Sequence, residues 1–279
     1  MRGASFRERS AKHLVVKSLN AVKSALIGHT GLVGGNLARQ RPFDDFFNSR
    51  NIQEIVGNHY DLLVCSGVSG TKWMANLRPD QDKENIDQLM ENLRSVTAEQ
   101  LILISTVDVY GNPSQVNEDS RVDGECQTSY GRHRHEFEKT ICEHFPKVTI
   151  IRLPAIYGLG LKKNALYDLM HDHEVEKINA HSVYQFYSLD RLWHDIEICL
   201  AHELPLVNVA TEPLGISVVA REVFHVELTN GASENAARYD FRTKYDSFFG
   251  GANGYFHDKA TAMSDIAAFV EQQRLLRAS

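Results

Sequence analysis

Residues 28–35 read GHTGLVGG. They follow an apolar run, VKSALI at 22–27, and open a stretch with helical periodicity over about 31–41. The glycines fall as Gly28-x-x-Gly31-x-x-Gly34, and each has a separate physical use. Gly28 permits a tight turn at a strand end, Gly31 lets backbone approach a phosphate, and Gly34 lets helix and strand pack closely. The helix that begins here offers free N–H groups and a partial positive charge to a diphosphate. Thr30, Leu32 and Val33 fill the loop between the glycines and belong to the same candidate site. No Lys-Ser/Thr pair follows, which argues against a triphosphate loop. The alternative is a tight strand-to-helix turn with no ligand.

Working outward, further apolar runs at 60–66, 100–105, 148–153 and 206–210 read as buried strands. Helical stretches lie at about 81–97, 128–144, 164–172, 189–202, 214–227 and 259–277. Such alternation predicts an α/β fold, a Rossmann-like doubly wound parallel sheet covered on both faces. Ligands of these sheets gather beyond the carboxyl ends of the strands. The alternation weakens after about 157, so three segments are expected. Residues 1–20 form an N-terminal extension, 21–157 the nucleotide-binding domain, and 158–279 a small, irregular C-terminal substrate lobe interleaved with the last sheet elements.

The chain has 279 residues, 43% of them hydrophobic, enough to bury a sizeable core. A formal net charge of −6 argues against nucleic acid as a partner. No apolar run approaches the roughly 20 residues of a membrane helix, so no membrane partner is expected. Cys65, Cys126, Cys142 and Cys199 are scattered without a C-x-x-C, which suits free thiols and a cytoplasmic location.

A dinucleotide site needs a ribose-binding group about 20 residues beyond the glycines. Asp44 and Asp45 fall too early in FDDFFNSRN (43–51). The strand end Asn48-Ser49-Arg50 brings Arg50, a cation suited to a 2′-phosphate. NADP is therefore favoured over NAD.

The strand at 100–105 runs into ISTVDVYG (104–111), which puts Ser105 and Thr106 at a carboxyl end. SYGRHRHEFEK (129–139) and VTIIRLPAIYG (148–158) follow. A Tyr-x-x-x-basic pair such as Tyr130 and Arg134 arises about once by chance in a chain with 10 Tyr and 30 Lys+Arg. The surroundings give it meaning. The set resembles the extended short-chain dehydrogenase/reductases, the NAD(P)-dependent nucleotide-sugar epimerases, dehydratases and reductases. The likeness rests on the glycine loop, S-T-x-x-V-Y-G, the Y-G-x-x helix, R-L-x-x-x-Y-G, Asn85 in KENIDQL (83–89) and YSLDRL (187–192).

The resemblance implies roles. Tyr130 is the proton donor and acceptor, and Thr106 orients the substrate oxygen. Cys65, Ser66, Gly67, Ser105 and Pro154 border the cofactor. The family has a lysine four residues after the tyrosine, holding the nicotinamide ribose and lowering the phenol pKa. This chain has Arg134 there. Arg134 shares a helix face with Tyr130, while Lys139, half a turn away, cannot substitute. The positive charge is expected to act in part and the ribose grip to change. Family dehydratases place Asp-Glu after the strand-end Thr. Here Val107 and Asp108 stand there, which disfavours dehydration.

Lys72 and Trp73 in CSGVSGTKW (65–73), together with Asn85, Asn164 and Gln185, are candidate substrate contacts. Lys162, Lys163 and Asn164 could hold a diphosphate. The alternative for each is a solvated charge or core packing. His133-x-His135 and His171-x-His173 point apart on a helix and read as solvent-exposed side chains, so no metal is expected. Two readings remain open: an NAD(P)-dependent oxidoreductase or epimerase acting on a sugar, nucleotide-linked, or a catalytically weak or inactive NAD(P)-binding protein of the same fold. The resemblance also implies a homodimer.

Overall fold

The computed structural model describes residues 22–122, 124 and 127–278. The expected extension at 1–20 and Cys126 lie outside the described residues, and Cys65, Cys142 and Cys199 are free thiols. The centre is a six-stranded sheet. Its strands are β1 (Ser24–Ile27), β2 (Asp45–Phe47), β3 (His59–Cys65), β4 (Thr97–Thr106), β5 (Val148–Leu153) and, later in the chain, Leu206–Asn208. Every neighbouring pair is parallel. The order is β2-β1-β3-β4-β5 followed by Leu206–Asn208, so the expected parallel α/β sheet is what forms.

The strands form where the sequence is continuously apolar because both faces are covered. On one face α1 (Leu32–Gln40) and the later helix Leu192–Ala201 bury Leu37, Leu192, Trp193 and Ile196 against Leu26, Val64, Ile102 and Ile151. On the other, α3 (Pro79–Leu93) and α4 (Ser129–His144) bury Ile86, Met90, Leu93, Phe137 and Ile141 against Ala25, Leu63, Leu101 and Leu103. Between β1 and β3 the chain order reverses, and this switch point is where such sheets bind ligands.

A short helix, α2 (Lys72–Leu77), was not expected. Six residues are too few for a readable period, and Pro79 restarts the chain as the first residue of α3. After β5 come β6 (Ala155–Tyr157), α5 (Ala165–His171), β7 (Val183–Tyr184), β8 (Phe186–Ser188), α6 (Leu192–Ala201) and β9 (Leu206–Asn208). Then follow β10 (Leu214–Gly215), α7 (Ile216–Val219), a π-helical stretch Ala220–Phe224 and α8 (Lys259–Ala278). A third cluster gathers Leu166, Leu169, Ile216, Val219, Ile266 and Phe269 from these elements. β9 returns to the main sheet beside β5.

Candidate active site

A cavity of about 1310 Å³ opens along the carboxyl ends of β1, β3, β4 and β5. Gly28, Thr30, Gly31, Leu32 and Val33 line it at the end of β1. Gly28 has φ +86°, and a Cβ on it would stand 2.4 Å from the Ser66 carbonyl oxygen. Gly34 lies behind the wall, where a Cβ would meet the Gly28 carbonyl oxygen at 2.2 Å. Gly31 caps α1 with no side-chain bond, so the first N–H groups of the helix face the cavity unclaimed by any capping side chain. This cradle fits a dinucleotide diphosphate.

Ser66 and Gly67 line the cavity after β3, and Ser66 Oγ donates to the Ile27 carbonyl at 2.8 Å, tying the two strand ends. Cys65 is fully buried beneath them, and burial pushes its thiol up to about 11. Asn48 and Ser49 reach the wall from the end of β2, with Ile52 and Gln53 beside them. Arg50 is exposed and is not among the lining residues. Asp44 accepts from Ser24, and Asp45 from the Tyr60 hydroxyl.

Ser105, Thr106, Val107 and Asp108 line the cavity at the end of β4, and Tyr130 and Arg134 face them from α4. The approach is close because residue 131 is glycine: a Cβ there would stand 2.2 Å from the Asp108 carbonyl oxygen. Thr106 Oγ1 accepts from the Asp108 N–H at 3.2 Å and caps the turn that carries Asp108.

Arg134 differs most from expectation. Its Nη1 donates to Asp82 Oδ2 at 2.5 Å and to the Tyr130 carbonyl at 3.1 Å. Its Nη2 donates to Asp82 Oδ1 at 2.8 Å and to the Ser69 carbonyl at 2.7 Å. A guanidinium has four terminal N–H groups, and these four bonds engage all of them. The charge centre lies 3.9 Å from the Tyr130 ring centroid. Arg134 and Asp82 are 4% and 8% exposed, so this is a buried ion pair. His133, expected in solvent, is buried as well, with Nδ1 2.8 Å from Asp82 Oδ2. The phenol pKa of Tyr130 is raised: burial dominates, Arg134, Thr106 and Lys72 ease ionisation, and Asp108 opposes it. The arginine therefore acts in the expected direction but does not win.

The sequence missed Tyr239, which comes from an irregular loop. Its hydroxyl donates to Asp108 Oδ1 at 2.9 Å, and Lys72 Nζ donates to the same oxygen at 2.8 Å. Burial acts against the Lys72 charge, but Asp108 and Tyr239 outweigh it and raise the ammonium pKa. Tyr184 stacks on Tyr239 with ring centroids 6.0 Å apart.

Trp73, 61% exposed, and Asn85 line the cavity, as does Pro154 after β5. Gln185 lines it too, with both amide donors engaged by the Thr211 and Phe241 carbonyls and its oxygen accepting from the Phe241 N–H. Asn164 caps α5 by accepting from the Tyr167 N–H, and donates to the Ile156 carbonyl. Lys163 Nζ reaches across to Thr71 Oγ1 at 2.7 Å and the Gly70 carbonyl at 3.2 Å, and burial lowers its pKa.

Behind this wall Ser105 Oγ donates to Glu138 Oε1 at 2.5 Å, and Arg152 grips the same carboxylate at 3.0 and 2.6 Å. Burial alone would raise the Glu138 pKa, but bonds from His135, Arg152 and Ser105 and the Arg152 charge hold it below the ordinary value. Its stabilising contribution is therefore complete above the unfolded carboxyl pKa of about 4.3 and is lost as pH falls through the lower folded value. In Glu138→Gln that part of the acid loss should vanish, with stability at neutral pH lower by about 3–5 kcal/mol because Arg152 is left buried and unpaired. Urea unfolding at a series of pH values checks both.

No family model matches the sequence, and no curated protein matches it. Solved structures do. One is a dTDP-4-dehydrorhamnose reductase from Clostridium acetobutylicum, 12% identical, with TM-score 0.67 over 90% of this chain and 99% of that one. Another is a UDP-glucose 4-epimerase from Thermotoga maritima with UDP-glucose, 11% identical, with TM-score 0.67 over 91% and 99%. A third is TunA, an NAD-dependent NDP-hexosamine 5,6-dehydratase of tunicamycin biosynthesis, 17% identical, with TM-score 0.65 over 90% and 97%. No described helix is long and apolar enough to cross a membrane. At these identities the likeness is one of fold: the chain shares the Rossmann-like parallel α/β architecture of these three enzymes.

Proposed function

We propose that the protein is an NAD(P)-dependent oxidoreductase that reduces a carbonyl on a nucleotide-linked sugar. The observation that carries this is one continuous cavity with the glycine cradle and the Tyr130–Thr106 pair both on its wall. Its volume exceeds the roughly 300–1,000 Å³ of a pocket for one small ligand, so it has room for a dinucleotide and a second nucleotide. Gly28, Gly31 and the start of α1 would hold the diphosphate, and Ser66 and Gly67 would flank the adenosine. Asn48 and Ser49 are what the end of β2 offers the ribose, while Asp44 and Asp45 are tied elsewhere and Arg50, the cation that favoured NADP in the sequence, is off the wall; the cofactor is therefore read as NAD(P).

Held by the glycine cradle, a reduced nicotinamide would supply the hydride for the carbonyl carbon. Tyr130 gives its proton to the carbonyl oxygen, Thr106 orients that oxygen, and water returns a proton to the phenol. The balance is one ketone, one hydride and one proton to one alcohol. A phenol whose ionisation is disfavoured suits the donor's part. Asp108, held by Lys72 and Tyr239, is not presented as a free base, which fits reduction better than dehydration. Lys163 and the start of α5 would face the sugar nucleotide's phosphates.

One observation favours a second reading, a binder without turnover: the terminal N–H groups of Arg134 are all engaged within the protein, so the usual ribose grip is missing. Mixing the protein with NADPH and a panel of keto-sugar nucleotides separates the two. Oxidation of NADPH is expected. Binding with no oxidation across the panel would select the second reading, and no binding of either nucleotide would end both.

A further inference from the structure

Asp82 has no part in the motifs, yet it binds Arg134, which lies against Tyr130. It lies in the first turn of α3, where the helix dipole favours a carboxylate, and both its oxygens are gripped by Arg134. His133 binds the oxygen that faces it. A lysine at 134 could not span both Asp82 oxygens and the Ser69 carbonyl, whereas the planar fork does so while lying 3.9 Å over the Tyr130 ring. The cation over the Tyr130 ring is thereby offset by a carboxylate in the same buried pair.

We propose that Asp82 is a positioning residue for proton transfer: by clamping Arg134 it holds the guanidinium over the Tyr130 ring, offsets its charge, and keeps the phenol in the donor form. This rests on the reading of Tyr130 as the proton carrier. The groups acting on the phenol come from every side: Arg134 from α4, Thr106 and Asp108 from the end of β4, and Lys72 from α2. Tyr239 acts through its bond to Asp108. Arg134 in turn faces Asp82 from α3 and the Ser69 carbonyl, with His133 on the far side of Asp82. Among the described residues Asp82 is the one carboxylate bonded to this cation.

The test is Asp82→Asn, which keeps an acceptor for Arg134 and removes the charge. The absorbance of ionised tyrosine is titrated in both proteins, and the Tyr130 contribution is isolated by subtracting a Tyr130→Phe titration in each background. The Tyr130 midpoint is expected to fall by at least about one pH unit in the variant, tenfold more phenolate at a given pH. The alkaline limb of kcat for NADPH oxidation should move the same way. An unchanged or higher midpoint would overturn the proposal. Should Asp82→Asn not fold, Asp82→Ser, which also removes the charge and keeps Arg134, is titrated instead, with the same expectation and the same overturning result. Because the absorbance needs no turnover, a shifted midpoint in a protein that turns over nothing would sustain the role of Asp82 and remove the proposed function. Turnover with an unshifted midpoint would do the opposite.

Discussion

Tyr130→Phe is expected to bind NADPH within a few-fold of the wild type and to oxidise it about 10²–10⁴-fold more slowly with a keto-sugar nucleotide. The substitution removes one oxygen and leaves the ring, which is what Arg134 lies against at 3.9 Å. The residue is 8% exposed and sits where Gly131 presses α4 onto the Asp108 turn, so phenylalanine keeps the same place. What goes is the proton that neutralises the alkoxide formed by hydride transfer. The wild-type rate should hold level through neutral pH, because the donor form of a phenol with a raised pKa persists there, and should fall in alkali as that form is lost. Stopped-flow nucleotide fluorescence separates binding from turnover. Equal rates for wild type and Tyr130→Phe would remove Tyr130 from the chemistry, and a common loss of binding would show that the ring, not the hydroxyl, was needed.

What the sequence revealed, and what it hid, follows from the range of the interactions. The glycine turn is local: its meaning lies in missing Cβ atoms within a few residues, and the clashes at Gly28 and Gly34 are those the spacing predicts. The central strands were legible because burial on both faces leaves unbroken apolar runs at β3, β4 and β5. The side chains of the site were less so. Arg134 is four residues from Tyr130 on one helix face, but its partner Asp82 is 52 residues away, and no helical period reports that pairing. The same holds for Tyr239, 131 residues from Asp108 in a loop without a motif. Gln185 and Asn164 were read as substrate contacts from position alone. Both do line the cavity, and their amides also bind backbone groups, which depends on how the irregular C-terminal half folds back. His133 looked solvated beside charged neighbours, yet the helix turns it inward to Asp82.

Gly34→Ala sets two physical effects against each other, and the larger should be plain in the result. Residue 34 lies inside α1, and on propensity alone alanine would stabilise that helix by about 1 kcal/mol. Sterics point the other way: the new Cβ would stand 2.2 Å from the Gly28 carbonyl oxygen and 2.8 Å from Ser66 Oγ. The first neighbour is backbone in the turn itself, and the second belongs to the bond that ties β1 to β3. The backbone neighbour cannot give without moving the turn, and the hydroxyl is held by its hydrogen bond, so the helix must move outward. Overpacking of this kind costs about 1–3 kcal/mol. The larger effect should fall on function, because displacement of α1 carries its free N–H groups away from the site of the diphosphate. NADP affinity is expected to drop by at least about tenfold, equivalent to about 1.4 kcal/mol, with the midpoint of thermal unfolding unchanged or lowered. Calorimetric titration and a thermal scan measure the two. A more stable protein that binds NADP as tightly as before would mean that the turn does not hold the diphosphate, and the cavity would need another occupant.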